Sequence, residues 1–454
     1  MKYAVLAAAL TLAVPTMAIA AMWLPRVRGH LFSLMIFLTC LGAHASVNAV
    51  SRELYRGPDR GFEVTGADLV CWALMIAITL RFPGKIAWFP RNSWLLLLFF
   101  LNACLLALVT MEPLYTAFSL WKCVRIYCLY WTTVNCLRLG IHRRYAWLGF
   151  AGAALVITAL ALQQKYLLGI YRINGPFDHS NTVPLYANLI LPVLLIWALC
   201  DKELPLRWAV VSIALCFGLL FAVLSTFSRL GMALSSASVV CALGWANLRS
   251  RSIRVRASSL VMSLLLLAGA IRAAGPIIER IRSAPEASVQ ARDEFNYAAQ
   301  LMLGDHPFGV GLNNFSYVVT NQVQYRAHFE AMKSEEQSGV CHHIYWLTAA
   351  ETGYLGLLLY LVLVVRFAGS ALAGSWRRKS TEGAILFGVF LGICALQVSG
   401  FYEWAFRVTP VMQMFTISAA VAVVWSEKPL KHRVRMAAVR ACGEGVPSGP
   451  GVTV

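Results

Sequence analysis

An all-α, polytopic bundle of transmembrane helices is the fold class that this sequence predicts, and three observations predict it. Of the 454 residues, 59% are hydrophobic and only 13% charged, with a mean hydropathy of +0.65. No water-soluble core can hide that much apolar surface. Apolar runs of near-span length recur along the chain with short connections between them. Tryptophans gather at the run ends (Trp23, Trp94, Trp208, Trp346, Trp404, Trp425), where interfacial belts place them, and basic residues gather in alternate loops.

The runs are 3–24, 31–50, 67–81, 94–110, 114–137, 145–168, 183–200, 208–225, 230–248, 258–274, 345–365, 383–402 and 411–425. At about 1.5 Å of rise per residue most of them reach across roughly 30 Å of hydrocarbon, and 67–81 is short for it. Twelve or thirteen spans are expected. The division is 1–274 as transmembrane helices, 275–341 as one large loop, 342–425 as further transmembrane helices, and 426–454 as a basic tail, partly disordered because it is rich in Gly and Pro from Ala441 on. No internal repeat is visible.

The net charge of +18 is read by position before it is read as affinity for a polyanion, and no nucleic-acid partner is expected. Arg249, Arg251, Arg254 and Arg256, then Arg138, Arg143 and Arg144, then Arg377, Arg378 and Lys379, then Lys428, Lys431, Arg433 and Arg435 mark loops of one parity, expected to be cytoplasmic. Loops 169–182, 226–229, 275–341 and 403–410 then face outward. The loop 275–341 carries eight acidic residues against five Lys/Arg, as export favours. At the amino end, Lys2 and Ala18-Ile19-Ala20 have the look of a signal sequence; the parity is best met by an uncleaved first helix, with an outside amino terminus or one non-crossing run. Cysteines are scattered through apolar runs as small hydrophobes, with no disulfide framework.

Candidate chemistry lies on the outward side. Ser225-Thr-Phe-Ser-Arg229-Leu-Gly231 joins two apolar runs, and a guanidinium so near hydrocarbon needs an anion unless it snorkels to headgroups. Arg292 sits early in a helical pattern that Gly304 ends. His342 closes the large loop in Cys341-His-His343 and can act as acid or base near neutral pH, or serve as a structural residue at a helix start. Adjacent histidines rarely converge on one ion, so no metal is assigned. Arg172, Asp178, His179 and Asn181 offer donors and acceptors suited to a sugar or phosphate, with helix capping by Ser180 or Asn181 as the plainer role. Lys122 and Arg125, deep in span 114–137, could hold a lipid phosphate or pair with Glu351 or Glu403.

Arg172-Ile-Asn-Gly-Pro-Phe-Asp-His-Ser-Asn181, Ser228-Arg229-Leu-Gly231, Arg292 followed by Asp305-His-Pro-Phe-Gly-Val-Gly-Leu-Asn-Asn-Phe315, and His342 with Glu351-Thr-Gly-Tyr-Leu-Gly356 occur in that order. In this ordered spacing the chain resembles the O-antigen ligase and O-antigen polymerase (Wzy/WaaL-like) superfamily of bacterial integral membrane glycosyltransferases. The resemblance covers about residues 170–365. It implies two essential outward arginines and a histidine after the large loop, here Arg229, Arg292 and His342. Family members commonly have Asn after that histidine, where this chain has His343, and a small residue after Ser-Arg, where it has Leu230.

The resemblance further implies a glycan donor on undecaprenyl pyrophosphate, a periplasmic active face and residence in the bacterial inner membrane. Arginine suits the pyrophosphate through bidentate, charge-assisted bonds, and His342 suits the acceptor hydroxyl. Arg172, Asp178, His179, Asn181, Lys122, Arg125 and His343 complete the expected substrate contacts. With no Asp-x-Asp pair, neither a metal, a cofactor nor a nucleotide-sugar donor is suggested. The acceptor is left open among lipid A core, growing glycan and protein, so a protein O-glycosylation ligase is one alternative and a non-enzymatic polysaccharide or lipid transporter another; the latter would favour charges along a central path.

Overall fold

The computed structural model describes residues 2–250, 252–253, 255–264, 267, 275, 286–326 and 339–427. The helices in chain order are α1 (Lys2–Trp23), α2 (Pro25–Leu38), α3 (Gly66–Arg81), α4 (Ser93–Leu106), α5 (Pro113–Arg138), α6 (Arg143–Leu167), α7 (Thr182–Cys200), α8 (Leu206–Ser225), α9 (Arg229–Arg249), α10 (Val255–Leu264), α11 (Glu286–Asp305), α12 (Phe315–Asn321), α13 (Val323–Arg326), α14 (Ile344–Arg377), α15 (Thr381–Ser399) and α16 (Thr409–Ser426). The chain is a polytopic helical membrane protein.

Eight of these helices, among the described residues, are long and apolar enough to cross a membrane: α1, α6, α7, α8, α9, α14, α15 and α16. Twelve or thirteen spans are expected from the sequence, and several of the other runs are shorter or less apolar as helices for local reasons. The run 31–50 stops being an α-helix at Leu38, gives a 3-10 turn at Thr39–Ala45 with Gly42 at φ +50, and ends as a strand. That strand, β1 (Ser46–Ala49), pairs antiparallel with β2 (Phe62–Thr65), a hairpin that an all-α reading leaves out. The run 94–110 is helical only over the 14 residues of α4, and α3 has 16, opened by a capping box between Thr65 and Asp68. Most of 265–274 and the tail beyond Glu427 lie outside the described residues.

The centre of the bundle is α7, apolar along its whole length and buried on nearly every face, with α8, α9 and α15 around it. Gly388 and Gly392, one helical repeat apart on α15, let the two backbones touch. A Cβ at Gly388 would stand 2.7 Å from the Pro192 carbonyl oxygen, and one at Gly392 2.9 Å from that of Asn188. Small residues at this spacing drive close helix packing where lipid offers no hydrophobic force between helices.

The α14 helix is broken at Gly353, which adopts φ +68. The break frees backbone groups, and the loop Asp305–Phe315 takes them up: Val310 and Gly311 N–H donate to the Ala350 and Glu351 carbonyls, each at 2.9 Å, and Tyr354 N–H donates to Pro307 O at 3.1 Å. Gly309, at φ +95, lies so close that a Cβ there would meet Glu351 O at 2.6 Å. A broken helix within a membrane protein persists when its freed groups are satisfied by protein, as here. Asn313 and Asn314 then pin the loop, the first to Asp59 and Tyr115, the second to Glu112 and Thr116.

Of the loops of equal basic parity, those around 138–144 and 377–382 meet at one end, while Arg251, Arg254 and the basic residues from Lys428 on lie outside the described residues. There Arg143 bridges Asp201 (3.0 Å), Glu203 (2.7 Å) and Glu382 (2.9 Å), and Arg138 pairs with Glu427 at 2.8 Å. Loops 169–181, 226–228 and 400–408 gather at the other end with α11, α12 and the segment before α14.

Candidate functional site

At that second end, a single carboxylate joins residues from three other stretches of the chain. Glu403, in the short connection between α15 and α16, accepts from Asn181 Nδ2 (2.6 Å) and Arg292 Nη2 (3.3 Å) on Oε1, while its Oε2 stands 3.6 Å from His342 Nδ1. Asn181 in turn accepts from Arg172, whose Nε donates to the Thr226 carbonyl at 2.9 Å. Through this relay Arg172, Asn181, Arg292 and His342 share one rim, three residues from Arg229.

The backbone explains why they converge. Ile173 N–H donates to Ser225 O (3.3 Å), so the 171–181 loop lies along the α8–α9 connection. Gln164 braces the same loop: its Oε1 accepts from Asn174 and Gly175 N–H, and its Nε2 donates to Gly175 O. Cys341 Sγ donates to Asn296 Oδ1 at 3.1 Å, tying His342 to the face of α11 that carries Arg292 one turn earlier. Burial pushes the Cys341 thiol up to about 12, so it stays protonated and packs rather than reacts. Ile344 N–H donates to Gly400 O (2.8 Å) and Tyr345 Oη to Gln397 O (2.9 Å), which fix the start of α14 against the stretch holding Glu403.

His342 and His343 have different surroundings. His342 Nδ1 is shielded from solvent and makes no hydrogen bond among the described residues; the 3.6 Å to Glu403 is too long for one and short enough for attraction. His343 is the N-cap of α14: its Nδ1 accepts from Trp346 N–H at 3.3 Å, and its ring packs among Tyr345, Trp346 and Phe401. Burial lowers its pKa below the usual histidine value, which keeps the capping nitrogen an acceptor.

Arg229 is the first residue of α9, behind its N-cap Ser228, and is exposed. Phe227, just before, holds a left-handed backbone at φ +53, which for a bulky residue costs on the order of 1–3 kcal/mol. Asp178 and His179 are exposed on the same loop as Arg172, outside the Glu403 relay.

Lys122 and Arg125 are elsewhere. Both are buried in α5, where Lys122 pairs with Asp59 and donates to Arg407 O (2.9 Å), and Arg125 pairs with Asp68 and, at 2.8 Å, Glu63. The expected pairing with Glu351 or Glu403 does not occur, because the β1–β2 hairpin supplies carboxylates nearer by. Glu351, fully buried, is instead paired with Arg407 and accepts from Phe315 N–H at 3.3 Å. Glu403 as a shared acceptor and the partners Arg407, Asp59, Glu63 and Asp68 went unassigned from sequence. For Glu403 a signal existed: it is an acid in a short connection beside apolar runs, and such an acid wants a partner.

Residues 212–361 match the family model for O-antigen ligase (Wzy_C). The matched stretch contains Arg229, Arg292, His342 and Glu351, and ends before Glu403. No curated protein matches the chain.

Proposed function

We propose, from the match of residues 212–361 to the O-antigen ligase model, whose family acts on lipid-linked glycan at a membrane, that the chain is a metal-independent glycosyltransferase of the bacterial inner membrane. It transfers or polymerises a glycan from undecaprenyl pyrophosphate at the periplasmic face, where the rim of Arg172, Arg229, Arg292 and His342 lies. One observation carries this reading: Glu403 gathers Arg292, Asn181 and His342 onto one carboxylate, so that anion-binding and proton-accepting groups face the same space.

The acceptor hydroxyl oxygen attacks the anomeric carbon while the bond from that carbon to the pyrophosphate oxygen breaks, and configuration inverts. The electron pair leaves with undecaprenyl pyrophosphate. Arg229 and Arg292 neutralise this leaving group; Arg229 stands at a helix N-terminus, where the dipole is already positive and a neighbouring anion is favoured twice. His342, with Nδ1 turned to Glu403, presents Nε2 to the hydroxyl proton, and Glu403 then stabilises the imidazolium. Catalytic hydrogen bonds are often long before substrate arrives, as the 3.6 Å separation is.

The test is transfer in vitro from purified lipid-linked glycan by the full chain in detergent. Product with inverted anomeric configuration is expected, and a folded protein inactive on every such donor would overturn the reading. Surface glycans of a deletion strain separate the acceptors: loss of polymer length, of lipid attachment or of protein glycosylation each names one.

A further inference from the structure

We infer that Tyr171 and Phe227 form a stacking platform for a pyranose ring of the donor glycan; this rests on the pyrophosphate lying at the arginine rim. The two rings stack with centroids 4.8 Å apart and planes 12° from parallel. Tyr171 is 67% exposed, so a broad aromatic face is open to solvent. Each ring is next to an arginine of the rim: Tyr171 precedes Arg172, and Phe227 lies two residues before Arg229. Contacts between Ile173 and Ser225, and between Arg172 and Thr226, hold the two segments side by side. Lys165 Nζ lies 5.3 Å from both ring centroids and donates to the Tyr171 carbonyl at 2.9 Å, adding a donor at the edge of the platform.

Sugar is the occupant that the geometry favours. The electron-rich face of an aromatic ring attracts the polarised C–H groups on one face of a pyranose, while the flanking Lys and Arg offer donors to its hydroxyls. An interfacial lipid anchor needs none of the backbone strain seen at Phe227. The left-handed position that ends a helix is usually given to Gly, and here it holds a ring that the strained φ of +53 directs onto Tyr171.

A second pair provides an internal control. Tyr166 stacks on Phe221 at 5.8 Å and 13°, and is 71% exposed, but Phe221 lies within α8 and neither residue adjoins a rim arginine. If aromatic pairs here only anchor the protein in the bilayer interface, the two should behave alike.

The experiment measures transfer rate against lipid-linked donor concentration with the full chain in detergent. Tyr171→Ala is expected to raise the donor KM about tenfold with kcat within about twofold, the size of one lost base-like stacking contact. Tyr166→Ala should leave both within about twofold. Phe227→Gly removes the other ring while relieving the backbone, so it should raise KM similarly with an unfolding temperature no lower than the parent's. Binding of the oligosaccharide released from the donor by mild acid, which carries neither lipid nor pyrophosphate, is followed by saturation-transfer NMR and should weaken in Tyr171→Ala. An unchanged KM in Tyr171→Ala, or equal rises in both tyrosine variants, overturns the platform. Absence of transfer by the parent protein would sink the proposed function, and the oligosaccharide measurement would still decide on the platform alone.

Discussion

Two groups of cations in this molecule are handled in opposite ways. Lys122, Arg125 and Arg407 are buried in the bundle, and each has a carboxylate of its own in Asp59, in Asp68 and Glu63, or in Glu351. Arg172, Arg229 and Arg292 stand at one end, part or fully exposed, and the contacts that gather the rim run through the single carboxylate of Glu403. The interior charges face acids because an unpaired charge there would be ruinous. At the rim, Arg292 and His342 both lie against the one carboxylate of Glu403, so cationic, proton-accepting and acidic groups stand together at that end. The comparison teaches that depth alone does not mark an arginine in a membrane protein as functional: the deepest ones here, Arg125 and Arg407, are committed to buried acids.

The largest expected effect comes from the rim. His342→Ala should lower transfer by about 10²–10⁴, the usual range for a general base, with the unfolding temperature in detergent unchanged. A folded His342→Ala protein with strong activity would move the proton-accepting role elsewhere.

Next is the interior, where the same kind of substitution should act on stability. Arg407→Ala leaves Glu351 buried without its partner, and breaking a buried pair costs about 3–5 kcal/mol. Thermal unfolding in detergent should fall steeply. Replacing both members with Arg407→Met and Glu351→Gln should recover part of the loss, since the orphaned charge is then gone. An unaffected unfolding temperature in Arg407→Ala would break the distinction drawn between the two groups.

The third effect is subtler. Arg229→Lys and Arg292→Lys keep the charge but lose the planar fork, and should reduce transfer roughly ten- to a hundredfold if a phosphate contact of about 1.5–3 kcal/mol is weakened. Arg125→Lys, beside two acids in the interior, should show its effect in unfolding temperature instead. Full activity in both rim variants would leave those arginines a point-charge role.

How much of this was legible in the sequence depends on the distance over which each feature is determined. Helix positions were legible, because apolar runs are local, and Arg172, Arg229, Arg292 and His342 were legible as polar groups in or beside the connections between apolar runs. The break at Gly353 was not: it depends on Val310, Gly311 and Tyr354 exchanging hydrogen bonds between segments some forty residues apart. The partners of Lys122 and Arg125 were missed for the same reason, since Asp59, Glu63 and Asp68 sit in or beside a hairpin hidden in what reads as an apolar run and its connection. Glu403 was visible as an acid in search of a partner, but sequence supplied no means of choosing Asn181, Arg292 and His342 over Lys122 and Arg125.

The smallest effect concerns His343, which stands where the superfamily that the chain resembles commonly has Asn. Asn is among the best N-cap residues, and His343 performs that office here with Nδ1 accepting from Trp346 N–H. His343→Asn should therefore preserve the cap and with it the position of His342, whereas His343→Ala should cost about 0.5–2 kcal/mol of stability. The histidine differs from Asn in one respect, because protonation destroys its acceptor. Burial among Tyr345, Trp346 and Phe401 lowers its pKa below the reference 6.5, so the folded state binds its proton less readily than the unfolded chain does. The cap's contribution is then complete above pH 6.5 and is lost as the pH falls from there through the lower folded value. Unfolding temperature in detergent, followed from pH 7.5 down to about 5, should decline more in the parent protein than in His343→Asn. Parallel declines in the two proteins would mean that His343 does not titrate as a cap, and the neighbouring histidine's placement would have to be credited to the Cys341 and Ile344 contacts alone.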